Sequence, residues 1–308
     1  MFSYVKPEVS KFDWPDALAL GPVTVLTGFE KGKYPHGNSL IVTGDDDVVL
    51  IDPSLTVAER GVPVEVNKIF LSHVHEDHIP GMQQLPELPV FCHEEDAVGL
   101  SSLDGLMSMY GLPDLVEKNF RREVVNDFHY SPRTNVSTFT DGSSFDLGGV
   151  QIQVIHTPGH TKGHSAFLIP EARTAYLGDI ELSGFGPYYF DACSSLESFE
   201  WSLDRCSDLE AEHFVTFHHK WVISGRDHFL AMLNEFANVI TKRELALLRF
   251  LKEPRSISDC VAHRFVYRPS VDMQFVDHVE TSCAKLHIAR MVKDGRVTEV
   301  TNGKYRAT

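Results

Sequence analysis

The sequence predicts an α/β layered sandwich followed by a small winged-helix unit. Two observations carry that prediction. Short β-branched runs alternate with helical apolar periodicity through residues 1–240, and both the period and the charge of the chain change after residue 240. The first strands are expected at 23–27, 39–43, 48–52 and 68–72, several of which run directly into polar clusters, as strands do where they feed functional loops. A short strand at 89–92 and a helix from Glu94 follow. Residues 100–140 then form an insertion rich in Asp, Asn, Ser and aromatics. Strands return at 150–156, 165–169 and 174–177, and helical patterns at 196–209 and 227–241.

The division expected from this reading is a catalytic domain over residues 1–240 and a winged-helix domain over 241–308. In the second, apolar spacing suits helices at 245–251, 257–265 and 276–288, and the Asn302-Gly303 pair supplies the turn of a hairpin between 297–300 and Tyr305. The tail carries 13 Lys+Arg against 8 Asp+Glu, a net of +5, which leaves −20 on residues 1–240. A body so acidic argues against broad electrostatic binding of nucleic acid.

In 308 residues no apolar run reaches the roughly 18 that a membrane span needs, and the first residues lack a basic stretch followed by an apolar one. The five cysteines are scattered, with no CxxC spacing, as in reduced thiols. A cytoplasmic protein without disulfides or a cysteine metal site is expected.

The chemistry is concentrated in Leu71-Ser-His73-Val-His75-Glu-Asp77-His78, directly after the strand at 68–72. Alternation along an extended segment points His73 and His75 the same way, so both imidazoles reach one ion. Asp77 and His78 fall on the next turn and face a second. Two ions about 3.5–4 Å apart would share a water whose pKa falls towards 7. Glu76 reads as solvated.

This HxHxDH signature resembles that of the metallo-β-lactamase superfamily, and the resemblance extends downstream through Thr157-Pro-Gly-His160, Tyr176-Leu-Gly-Asp179 and Phe217-His218-His219-Lys220. It is similar in plan to the subgroup of lactamase-like protein 2 and glyoxalase II-like proteins with a C-terminal winged helix. The resemblance implies a four-layered αββα sandwich and two divalent ions, one held by His73, His75 and His160, the other by Asp77, His78 and His219, with Asp179 between them. His219 is preferred for the last position by register, with His218 as its alternative. Asp52, ending the strand at 48–52, is expected to support the metal histidines. Zinc is the expected ion, and the same donors suit iron and manganese.

Such a site implies hydrolysis, with Asp77 orienting the nucleophile or passing a proton to the leaving group. The Met- and aromatic-rich insertion and the segment Gly184–Phe190 favour a small ester, thioester or lactone, with His164 and Tyr188 expected at the substrate. The alternatives are an endoribonuclease acting on single-stranded RNA and a metal-binding protein without turnover. The partner expected is a small molecule; nucleic acid is disfavoured, and the sequence leaves the oligomeric state open.

Overall fold

The computed structural model describes residues 14, 16–301 and 303–308. The N-terminal stretch read above for a leader therefore lies outside the described residues, as does Asn302 of the expected hairpin turn. Two sheets form the centre. The first has seven strands in sequential order: β1 (Leu18–Leu20), β2 (Val23–Leu26), β3 (Ser39–Thr43), β4 (Val48–Ile51), β5 (Lys68–Phe70), β6 (Val90–His93) and β7 (Val136–Phe139). Its first four strands are antiparallel and β4 to β7 run parallel. The second sheet comprises β8 (Ser144–Asp146), β9 (Gln151–His156), β10 (Ser165–Ile169), β11 (Thr174–Tyr176), β12 (His213–Val215) and β13 (Val222–Ser224). In it only β11 and β12 pair in parallel.

The inner faces of both sheets close on one core. Val25, Leu40, Val42, Val49, Ile51 and Phe70 of the first meet Val154, Phe167, Ile169, Tyr176 and Val215 of the second. Burying a side chain such as Phe70 or Phe167 contributes about 1.5–3 kcal/mol. Helices cover the outer faces. The first sheet is covered by α1 (Leu55–Arg60) and by α2 (Ala97–Ser101), α3 (Leu103–Tyr110) and α4 (Asp114–Asn126); the second by α5 (Leu196–Ser207) and α6 (Arg226–Phe250). The result is four layers, αββα.

Strands 39–43 and 165–169 fall where the apolar runs place them, because their burial on both faces makes the run continuous. The insertion at 100–140 is ordered, chiefly as α3 and α4, and its Met107, Met109 and Phe120 pack against the outer face of β5 and β6. The strands β1, β7, β8, β12 and β13, each of three or four residues, were not expected from the sequence.

Residue 240 lies inside the continuous helix α6, so the helix expected at 245–251 is simply its last two turns. Beyond it come β14 (Arg255–Ser256), α7 (Ile257–His263), α8 (Val276–Lys293), β15 (Val297–Thr301) and β16 (Lys304–Ala307). The three strands form a small sheet ordered β14-β16-β15. A capping box in which Ser256 and Asp259 bond reciprocally starts α7. Val279 and Cys283 of α8 join the core beneath the second sheet, so this helix is packed onto the body of the protein. Among the described residues no helix is long and apolar enough to cross a membrane. All five cysteines are free and buried.

Candidate metal centre

The parallel pairings bring the functional loops to one edge. Because β4 and β5 run parallel, Asp52 and Ser72 leave their strands side by side; because β11 and β12 run parallel, so do Asp179 and the 216–218 turn. The β9–β10 connection adds His160. Sites at the carboxyl ends of strands arise this way in layered α/β folds.

His73, His75 and His160 form a triangle with all three ring centroids 4.7 Å apart and the rings near-perpendicular. Asp77, His78 and His218 form a second group, and His73, His78 and Asp179 offer atoms between the two. Asp179 spans them: its Oδ2 is 3.2 Å from His160 Nε2, and its Oδ1 is 3.2 Å from His78 Nε2 and 3.9 Å from His218 Nε2.

The chemistry of these donors fits divalent cations. His73 Nε2, His75 Nε2, His78 Nε2, His160 Nε2, Asp77 Oδ2 and Asp179 Oδ1 are buried and lack a hydrogen-bond partner, a costly arrangement unless something else satisfies them. On the far side of four of the rings the other nitrogen is engaged. His78 Nδ1 donates to Asp52 Oδ2 at 2.9 Å, His160 Nδ1 to the Tyr188 carbonyl at 2.9 Å, and His218 Nδ1 to the Gly32 carbonyl at 2.7 Å. His73 Nδ1 lies 3.1 Å from Ser72 Oγ, which itself donates to Asp52. Each contact fixes the tautomer that leaves Nε2 as the free lone pair.

Burial, reinforced by the neighbouring histidines, pulls His73 and His75 well below the usual imidazole range, so both are neutral, as ligands must be. Burial opposes charge at His218 too, yet Asp179 and Asp77 outweigh it and push it up to about 10. A cation entering there displaces a proton.

Asp52 is the hub behind the site. Its carboxylate accepts from the Ser72 amide at 2.7 Å, the Tyr176 hydroxyl at 2.8 Å and His78, and its own backbone is left-handed, φ 47°, a conformation Asp tolerates better than most residues. Gly178 has a stricter role. At φ 52° and with a Cβ position only 2.7 Å from His164 Nε2 and 2.9 Å from Ser72 Oγ, it leaves no room for a side chain in the turn that presents Asp179.

Three expectations change. His219 is not among the converging donors. Its backbone turns left-handed, φ 61°, its side chain is 40% exposed, and its Nε2 lies 3.4 Å from Glu181. His218 takes the place beside Asp77, with Nε2 3.0 Å from Oδ2. His164 does not line the cleft. It is fully buried, accepts from the Asp179 amide at 3.0 Å through Nε2 and places Nδ1 3.0 Å from the Thr157 carbonyl; burial and then the nearby His160 push it down to about 3. It therefore holds Asp179 from behind. Glu76 is buried rather than solvated, accepting from Tyr34 at 3.0 Å and from Tyr110 at 2.5 Å.

Other supporting residues gave no sequence signal. Asp96 ties the end of β6 to the His160 loop, accepting from Thr161 Oγ1 at 2.6 Å and the Gly163 amide at 2.8 Å. Asp191 Oδ2 stands 3.6 Å from His75 Nε2 while Oδ1 accepts from Tyr188 at 3.2 Å. Both follow no motif, and only their burial singles them out. Tyr110 stacks on His75, ring centroids 4.9 Å apart. The donors open into a cleft of about 530 Å³, which Tyr188, Tyr110 and Glu76 help to line.

Fold and donor set together define a metal-dependent hydrolase. Residues 34–218 match the model of the metallo-beta-lactamase superfamily, and the chain belongs to that family. It is 24% identical over 261 residues to the beta-lactamase-like protein 2 homolog of Caenorhabditis elegans, covering 84% of this chain and 76% of that one. It is 26% identical over 165 residues to a hydroxyacylglutathione hydrolase of Haemophilus influenzae, covering 49% and 69%. Among solved structures, a metallo-beta-lactamase family protein from Thermus thermophilus superposes with a TM-score of 0.69 at 23% identity, over 94% of this chain and all of the other.

Proposed function

We propose that the protein hydrolyses a small ester, thioester or lactone at a two-metal centre held by His73, His75 and His160 on one side and Asp77, His78 and His218 on the other, with Asp179 shared. The observation that carries this reading is the convergence of six buried, unpartnered donor atoms within a few ångströms of one another. Two cations there would polarise the substrate carbonyl and lower the pKa of a water for attack at neutral pH. Zinc suits the donors, as do iron and manganese.

The chain's own residues do the rest. Asp52 and the Gly32 and Tyr188 carbonyls hold the imidazoles at fixed tautomers, so none must turn during a cycle. Asp77, 3.0 Å from His218, has a carboxylate placed to orient a nucleophile and to pass a proton to the leaving group. Tyr188 forms part of the wall against which the acyl group rests. The relative from Haemophilus influenzae is named for removing an acyl group from glutathione, which supports acyl transfer to water as the reaction type.

Elemental analysis of the purified protein, followed by assays of that same sample on an ester, a thioester, a lactone and a single-stranded RNA, tests the proposal. Two ions per chain with acyl-ester or thioester turnover are expected. Cleavage of RNA alone would overturn the reading, and so would two ions with no turnover.

A further inference from the structure

The walls of the cleft come from two segments far apart in sequence. Leu112, Val116 and Phe120 belong to the insertion; Tyr267, Met273 and Phe275 belong to the connection between α7 and α8. Gln274 Nε2 donates to Glu123 Oε2 at 3.0 Å and ties the second segment to α4. Glu280, buried in α8, accepts from three successive amides, those of Phe265, Val266 and Tyr267, at 2.8–3.0 Å, and so fixes the backbone that carries Tyr267. The C-terminal unit is therefore a built part of the cleft.

Among the described residues that line the cleft there is no Lys and no Arg, whereas three carboxylates outside the converging donor set, Glu76, Glu181 and Asp191, do line it. Each accepts from a hydroxyl: Glu76 from Tyr34 and Tyr110, Glu181 from Ser183 at 2.8 Å, Asp191 from Tyr188. A negatively charged group entering between these walls would lose its water and find no Lys or Arg to pair with.

We propose that the cleft receives an uncharged, apolar acyl group, and that the α7–α8 connection, through Tyr267, Met273 and Phe275, sets this preference together with α4. The inference rests on the hydrolase reading above for the word acyl, but its selectivity is a property of the walls. An apolar chain finds aromatic and aliphatic surface on two sides. A carboxylate-terminated chain of the same length finds none of the pairing it needs.

Three p-nitrophenyl esters of equal chain length test this: hexanoate, the adipate half-ester and 6-(trimethylammonio)hexanoate. The corresponding p-nitroanilides, which resist turnover, are titrated calorimetrically in parallel. The hexanoyl compound is expected to exceed the adipoyl one by about 10–100-fold in kcat/KM and in affinity, the size expected for stranding one unpaired charge. Met273 is 40% exposed, and Met273→Lys is expected to narrow that gap at least about tenfold in both readouts. Equal handling of hexanoyl and adipoyl compounds, or preference for the trimethylammonium compound, would overturn the inference. So would an unchanged gap in Met273→Lys. If no ester turns over while the anilides keep their ranking, the hydrolase reading fails and the wall selectivity stands.

Discussion

His218 Nε2 lies 3.0 Å from Asp77 Oδ2, while its neighbour His219 lies apart from the donors on the cleft wall, 3.4 Å from Glu181. The left-handed turn at His219 sends the two imidazoles in different directions. Elemental analysis of His218→Ala should show the loss of about one metal equivalent per chain, and His219→Ala should retain both. The reverse ranking would move the ligand by one residue.

Asp52 accepts from His78, the Ser72 amide and Tyr176 at once. Asp52→Ala frees the His78 ring to rotate and should cut metal affinity or activity about 10–100-fold, the range for residues that orient a metal ligand from behind. Competition with a chromophoric chelator measures it, and affinity equal to the unaltered protein's would reduce Asp52 to a strand end.

Gly178→Ala places a methyl against His164 and Ser72 in a left-handed conformation. The backbone alone costs about 1–2 kcal/mol. The larger consequence is displacement of Asp179, so activity should fall by more than the thermal midpoint implies. A variant that loses stability alone, with full turnover, would show that the turn has slack.

Glu244 joins α6 to α8, bonding His287 at 3.3 Å, Arg290 at 2.6 Å and Arg296 at 2.8 Å. Burial works against its charge, but these three donors win and bring it from 4.5 down to about 2. A depressed carboxylate stabilises the fold above its unfolded pKa and stops doing so as pH falls through the folded value. Glu244→Gln should therefore melt lower than the unaltered protein at pH 7, with the difference shrinking between about pH 4.5 and 2. A difference independent of pH would assign the loss to packing.

The αββα layers, and most of the residues that the structure brings together in the candidate site, were legible because their signals are local. His73 and His75 declare themselves by alternation within one segment, and Thr157-Pro-Gly-His160 and Leu177-Gly-Asp179 resemble recurring turns whose glycines answer steric demands. Strands at 39–43 and 165–169 are apolar on both faces, so their runs stand out. The helices of the insertion were not expected, although α3 and α4 each bury an apolar face at helical spacing.

What the sequence determined by itself was the class of layered fold and the residue types that could hold two cations, since both follow from spacing along a few residues. What only the tertiary structure decided was which of two adjacent histidines turns inward, that His164 holds Asp179 instead of meeting substrate, and that Glu76 is buried under two tyrosines. It also decided that the connection between α7 and α8 belongs to the cleft and not to a separate tail. Each of these depends on which side chains from distant segments reach the same few ångströms, and a one-dimensional pattern carries no record of that proximity until the sheets have paired.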